Sequence, residues 1–141
     1  MEVNAGNVIA GIALLLSGYA TWKTTKLNNL LLKRETDEAL KNKKADLSAS
    51  FITLGSSSNR LKIWNKGKAI ACNVRIEFPE GNDTFMQTEI DEKFPLDSLD
   101  TSQSVELLAP VHMGTRTKHV IRLIWSDDSS ESNEKIVHMT I

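Results

Sequence analysis

Asn65-Lys66-Gly67-Lys68-Ala69-Ile70-Ala71-Cys72-Asn73-Val74-Arg75-Ile76-Glu77-Phe78 is the stretch that decides the fold. From Ala69 on it alternates, with Ile70, Cys72, Val74, Ile76 and Phe78 on one side and Ala71, Asn73, Arg75 and Glu77 on the other. That two-residue period is the mark of a half-buried strand. Cys72 is therefore expected to face the core as a small hydrophobe, with no adjacent His or basic residue to activate it. Ahead of the strand, Asn65-Lys66-Gly67-Lys68 supplies residues that tolerate positive φ and reads as a hairpin connection.

Outward from this segment, alternation with regularly spaced turn residues begins after Ala45 and runs to the C-terminus. The candidate strands are Leu47–Leu54, Arg60–Trp64, Ala69–Phe78, Thr84–Glu89, Ser104–Leu108, Lys118–Trp125 and Glu134–Ile141. Seven strands suit a mainly β, immunoglobulin-like sandwich over residues 46–141. Ile121, Leu123 and Trp125 share a face, as do Leu61 and Ile63, and Trp64 and Trp125 are expected to pack the domain. Gly55-Ser56-Ser57-Ser58 reads as a loop.

The N-terminal end obeys different rules. Val3 to Trp22 carries no acidic residue and no lysine, and about 20 helical residues cross a hydrocarbon core of about 30 Å. Residues 1–22 are therefore predicted to be a transmembrane anchor, with Tyr19, Trp22, Lys23 and Lys26 at the headgroup boundary. Gly18-Tyr19-Ala20 has the small-x-small pattern of a signal-peptide cleavage site, but Met1 to Asn7 lacks the basic start that such a peptide needs. A buried helix of a soluble domain is disfavoured because Val8 to Leu16 shows no polar face.

Residues 23–45 form a basic juxtamembrane segment, with Lys23, Lys26, Lys33, Arg34, Lys41, Lys43 and Lys44 against Glu35, Asp37 and Glu38. Free of proline and glycine up to Lys44, it is expected to continue the helix into the cytoplasm. Leu27, Leu30 and Leu31 start a heptad that would put Arg34, Asp37 and Lys41 at core positions, so a long coiled coil is disfavoured. The cations read first as topology signals, which places the N-terminus outside and the β domain cytoplasmic on an inner (plasma) membrane. Gly6, Ala10, Ala13, Ser17 and Ala20 alternate at spacings of four and three and line one stripe, with Gly11 and Gly18 off it. In lipid such a seam of small side chains is where a second helix is expected to pack.

The net charge of −1 over 141 residues conceals this separation, since the chain after the basic segment leans acidic and offers no general nucleic-acid surface. One cysteine excludes an internal disulfide and fits a reducing compartment. His112, His119 and His138 are isolated, with no paired-ligand spacing for zinc. Asp127, Asp128, Glu131 and Glu134 lack the ordered spacing of a calcium loop, and they read as a solvated turn, like Asp91, Glu92, Asp97 and Asp100. The two acidic loops are expected to lend one end of the sandwich a negative potential. G-x-S-x-G, G-x-x-x-x-G-K-[ST] and G-x-G-x-x-G are missing, so no catalytic residue, cofactor or metal is expected.

Asn65-x-Gly67-x-Ala69 followed by Asn73-Val74 resembles the strand pair of bacterial immunoglobulin-like modules of the cell-adhesion-related (CARDB-like) kind. Phe94-Pro95-Leu96 to Leu99, Gln103-Ser104-Val105 and Ile124-Trp125-Ser126-Asp127-Asp128 are similar to that family's edge loop and closing hairpin. The resemblance covers Leu47 to Ile141 and implies interaction or assembly, with no catalytic residue to carry over. The expected role is a membrane-tethered, non-enzymatic accessory module that binds a protein partner, or its own copies through the transmembrane helix. The rival is a ligand- or infection-sensing effector of a bacterial defence system whose helices oligomerise and perturb the membrane.

Overall fold

The computed structural model describes residues 4–55 and 58–141. Met1–Val3, where the apolar stretch begins, and Ser56 and Ser57, inside the run read as a loop, lie outside the described residues. The chain divides into two compact units, a helical one ending at Ala39 and a β-rich one, Leu40–Ile141.

A single helix, α1 (Ala5–Asn42, 38 residues), occupies the first unit and enters the second with its last residues. It is long and apolar enough to cross a membrane. At a rise of 1.5 Å per residue it extends about 57 Å, nearly twice a hydrocarbon core. Thr21, Thr25 and Thr36 donate their hydroxyls to the carbonyls of Ser17, Thr21 and Leu32 at 2.9, 2.9 and 2.7 Å. These side-chain hydroxyls are thus satisfied inside the helix by carbonyls one turn earlier. The C-terminus tightens, with Lys43 N–H donating to Leu40 and Lys44 N–H to Lys41, both at 3.2 Å.

The second unit contains β1 (Leu47–Leu54), β2 (Ser58–Asn65), β3 (Ala71–Glu77), α2 (Gln87–Lys93), β4 (Leu96–Leu99), β5 (Ser104–Ala109), β6 (Lys118–Asp127) and β7 (Ser130–Thr140). They form a three-stranded sheet, β1-β2-β5, and a four-stranded sheet, β4-β3-β6-β7, arranged as a sandwich. Leu47, Leu61, Ile63 and Leu107 from the first meet Ala71, Val74, Leu99, Ile121, Leu123 and Trp125 from the second in one buried cluster. Every strand pair is antiparallel.

Four expectations are corrected, the first being Asn65-Lys66-Gly67-Lys68, which is no hairpin because β2 and β3 belong to different sheets and the segment carries the chain from one to the other. Cys72 and Ile70 face solvent rather than the core. Cys72 pairs with Ser126 and Arg75 with Ile124, so three steps along β3 answer two along β6. This is a β-bulge, and Asn73 absorbs it with φ +49°. The extra residue reverses the alternation: Ala69 and Ala71 are buried before it, whereas Val74, Ile76 and Phe78 point inward after it. Thr84–Glu89 is not a strand. Asn82 exchanges hydrogen bonds with Phe85, 2.8 and 2.9 Å, closing a turn. Chain from Gln87 then coils as α2, burying Ile90, with Phe94 buried four residues later at helical rather than strand spacing. The seventh strand is instead the four-residue β4. Trp125 is buried as expected, while Trp64 is half-buried on the outer face of the three-stranded sheet, across from Ser48 and Ser104.

Candidate interaction surface

Because α1 is unbroken, Gly6, Ala10, Ala13, Ser17 and Ala20 do lie along one stripe, every one exposed. Heptad spacing carries the same stripe on through Thr24, Leu27 and Leu31, also exposed. An added Cβ at Gly11 or Gly18 would meet nothing within 4 Å, and at Gly6 only Asn4 Oδ1 at 3.9 Å. Tyr19, Trp22, Lys23 and Lys26 share another side of the helix. The Tyr19 and Trp22 rings lie 6.3 Å apart, and Lys26 Nζ sits 5.3 Å from the Trp22 ring centre. This aromatic and cationic group is the kind that settles at a headgroup boundary.

At the end of the sandwich where the chain enters from α1, the backbone is tied down by two side chains. Asn65, 1% exposed, uses its whole amide. Its Nδ2 donates to Ala69 and Leu99 carbonyls at 2.7 and 2.9 Å, and its Oδ1 accepts from Asp46 and Gly67 N–H at 3.2 and 2.9 Å. Gly67 is required here, since a Cβ would lie 2.4 Å from Asp46 N. The Lys44 carbonyl accepts from Lys68 and Ala69 N–H. Asp127 accepts from Ala45 N–H at 2.9 Å, from the Ser129 hydroxyl and N–H, and from Ser130 N–H. Burial alone would raise its pKa, but the hydrogen bonds from Ser129, Ala45 and Ser130 outweigh it and hold the carboxyl down at about 2. Asp46 is lowered too: burial opposes the change, and Lys135 and Lys66 overcome it from 2.7 and 3.4 Å.

Asp127 is thus a structural cap. Asp100 follows β4 and Asp128 follows β6, whereas Asp91 and Glu92 ride on α2. Among the described residues, no group of three or more His, Cys, Asp or Glu side chains converges as a metal site.

The opposite end carries an apolar patch beside charged groups such as Glu80, Asp83 and Arg116. Of the large hydrophobics exposed in the sandwich, Leu54, Met86, Leu108, Val111 and Met113 gather there, leaving only Ile70 and Ile136 elsewhere among the described residues. The registers fix the grouping, because Leu54 lies opposite Ser58, Asn59 opposite Ala109, and Arg60 opposite Leu108. A pocket of about 220 Å³ opens among Ser58, Asn59, Met86, Leu108, Ala109 and Pro110. Met113, at the tip of the following loop, is wholly exposed. Exposed apolar side chains clustered in this way are uncommon on a small domain, and methionine side chains are adaptable in shape. Sequence reading missed it, although Pro110-Val111-His112-Met113 is an apolar run between two strands. Comparison of the chain with family models, curated proteins and solved structures gives no match.

Proposed function

We propose that this protein is a membrane-tethered, non-enzymatic interaction module. In this reading α1 crosses the bilayer, the basic residues after Trp22 keep the sandwich on the cytoplasmic side, and the apolar end opposite Ala45 holds a protein partner. The observation that carries it is that end: exposed Met86 and Leu108 line a pocket, and exposed Leu54, Val111 and Met113 lie in the adjoining segments. At about 220 Å³ the pocket is below the range of about 300–1,000 Å³ typical of small-molecule sites, and it suits one anchoring side chain.

The strand order supports an immunoglobulin-like assignment within this proposal. A constant-type domain pairs strands 1, 2, 5 and 4 against 3, 6 and 7. Here β4 joins β3 instead of β5, and the rest of the order is the same.

The test is chemical crosslinking in native membranes with Leu108→Asp and Met113→Asp, beside the exposed control Thr88→Asp. The partner crosslinked by the wild type should be lost with the first two and kept with the third. Recovery of the same partner with all three refutes the reading. A second reading, the ligand-sensing effector, draws on a groove of about 410 Å³ lined by Glu80, Lys118, His119 and His138, large enough for a small ligand. It predicts ligand-dependent clustering that the tip substitutions leave intact.

A further inference from the structure

The two sides of the sandwich treat their sheet edges differently. Along β5 the edge is closed by α2: Leu108 N–H donates to Glu89 Oε2 at 3.0 Å, and Lys93 Nζ donates to the Glu106 carbonyl at 2.5 Å. Glu89 and Lys93 also bind each other at 2.6 Å. Side chains thereby occupy backbone groups that an incoming strand would need. β4 is only four residues long.

On the far side, β7 runs for eleven residues with β6 as its sole hydrogen-bonded sheet neighbour, while β1 of the other sheet passes beside it and Asp46, just ahead of β1, accepts from Lys135 Nζ at 2.7 Å. Ile141 N–H donates to Thr117 O at 2.9 Å, which sets the phase of the ladder. By antiparallel alternation the odd-numbered residues of β7 bond to β6, and Glu134, Ile136, His138 and Thr140 turn their N–H and C=O groups outward. The side chains of these same four residues are exposed on the outer face of the sheet. Ile136 is the one large hydrophobe exposed along β7.

We infer that this edge pairs with the same edge of a second copy, joining two four-stranded sheets about a two-fold axis. The side chains select the register. With Ile136 opposite Ile136 of the second copy, Glu134 falls opposite His138, and by symmetry His138 opposite Glu134. Arg122 engages only Oε2 of Glu134, leaving Oε1 free, and the His138 ring has no hydrogen-bond partner among the described residues. Both groups are available for the cross-strand contact. A shift of one step toward Ser130 sets Lys135 against Lys135, and one step toward Thr140 leaves Glu134 opposite a threonine. An apolar pair at the axis with complementary pairs on either side is what an isologous contact requires. Antiparallel pairing sends the two Ala45 ends in opposite directions. The inference does not depend on the apolar tip.

The test uses the full-length chain in isolated membranes, with Cys72→Ser removing the native thiol. Ile136→Cys should give a disulfide-linked dimer on mild oxidation, because hydrogen-bonded antiparallel partners sit about 5.5 Å apart between Cα atoms, within disulfide range. Lys135→Cys should not. Adding His138→Glu to Ile136→Cys should cut the dimer about tenfold, since two symmetry-related pairs change from attraction to repulsion. As a second readout without cysteines, the His138 amide should exchange slowly in the wild type and quickly in His138→Glu. A monomeric Ile136→Cys, equal crosslinking by Lys135→Cys, or fast His138 exchange in the wild type overturns the pairing.

Discussion

Asn65→Ala removes the side chain that ties four pieces of backbone together where the sandwich receives the chain from α1. Four hydrogen bonds of 2.7–3.2 Å are lost, each contributing about 1 kcal/mol net. The Ala69 and Leu99 carbonyls are left buried, at a cost of about 1–3 kcal/mol each if nothing replaces the amide. Asp46 and Gly67 N–H are nearer to water and recover part of their loss. The expected destabilisation is about 4 kcal/mol, a large share of the 5–15 kcal/mol typical of a domain. With a urea slope of about 2 kcal/mol/M the midpoint should fall by about 2 M. The assay is urea unfolding of the full-length chain in detergent micelles, followed by fluorescence of the buried Trp125 with Trp22 and Trp64 replaced by Phe. Asn65→Asp should do no better, because it keeps the acceptors but turns a carboxylate toward two carbonyls. A loss below about 1 kcal/mol for Asn65→Ala would refute the reasoning.

Three further outcomes are expected. The Asp127 carboxyl, lowered from 3.8 to about 2 in the fold, contributes stability that is complete above pH 3.8 and lost as pH falls toward 2. In acid unfolding, wild type and Asp127→Asn should therefore differ most above pH 4 and converge below pH 2. Replacing Ala10, Ala13 and Ser17 with leucine should weaken association of α1 in membranes, read as loss of energy transfer between labelled copies, while the same change at Ile9 and Ile12 should not. Leu108→Asp should leave the unfolding free energy within about 0.5 kcal/mol of the wild type, since Leu108 is exposed and its loss is felt only by the partner.

What could be read from sequence follows from how each element is encoded. β1 was legible because Leu47, Ala49 and Phe51 alternate with Ser48 and Ser50. That the N-terminal end holds a helix long and apolar enough to cross a membrane was legible from composition alone. The facing of β3 was not, because one bulged residue at Asn73 reverses a pattern that otherwise alternates perfectly. α2 was obscured because its seven residues bury only Ile90, and β4 because four residues give too few alternations to register. The apolar end escaped for another reason: Leu54, Met86, Leu108 and Met113 come from four separate segments and meet only through the strand registers.

Cys72 allows the most direct measurement of where the sandwich resides. As the single cysteine, exposed on β3 by the bulge, it reports the compartment of the β domain without engineering. The protein should stay in the membrane pellet through alkaline extraction, and a membrane-impermeant maleimide should label Cys72 only after intact cells are permeabilised. Release into the supernatant, or labelling of intact cells, would contradict a cytoplasmic sandwich held by a membrane-spanning α1.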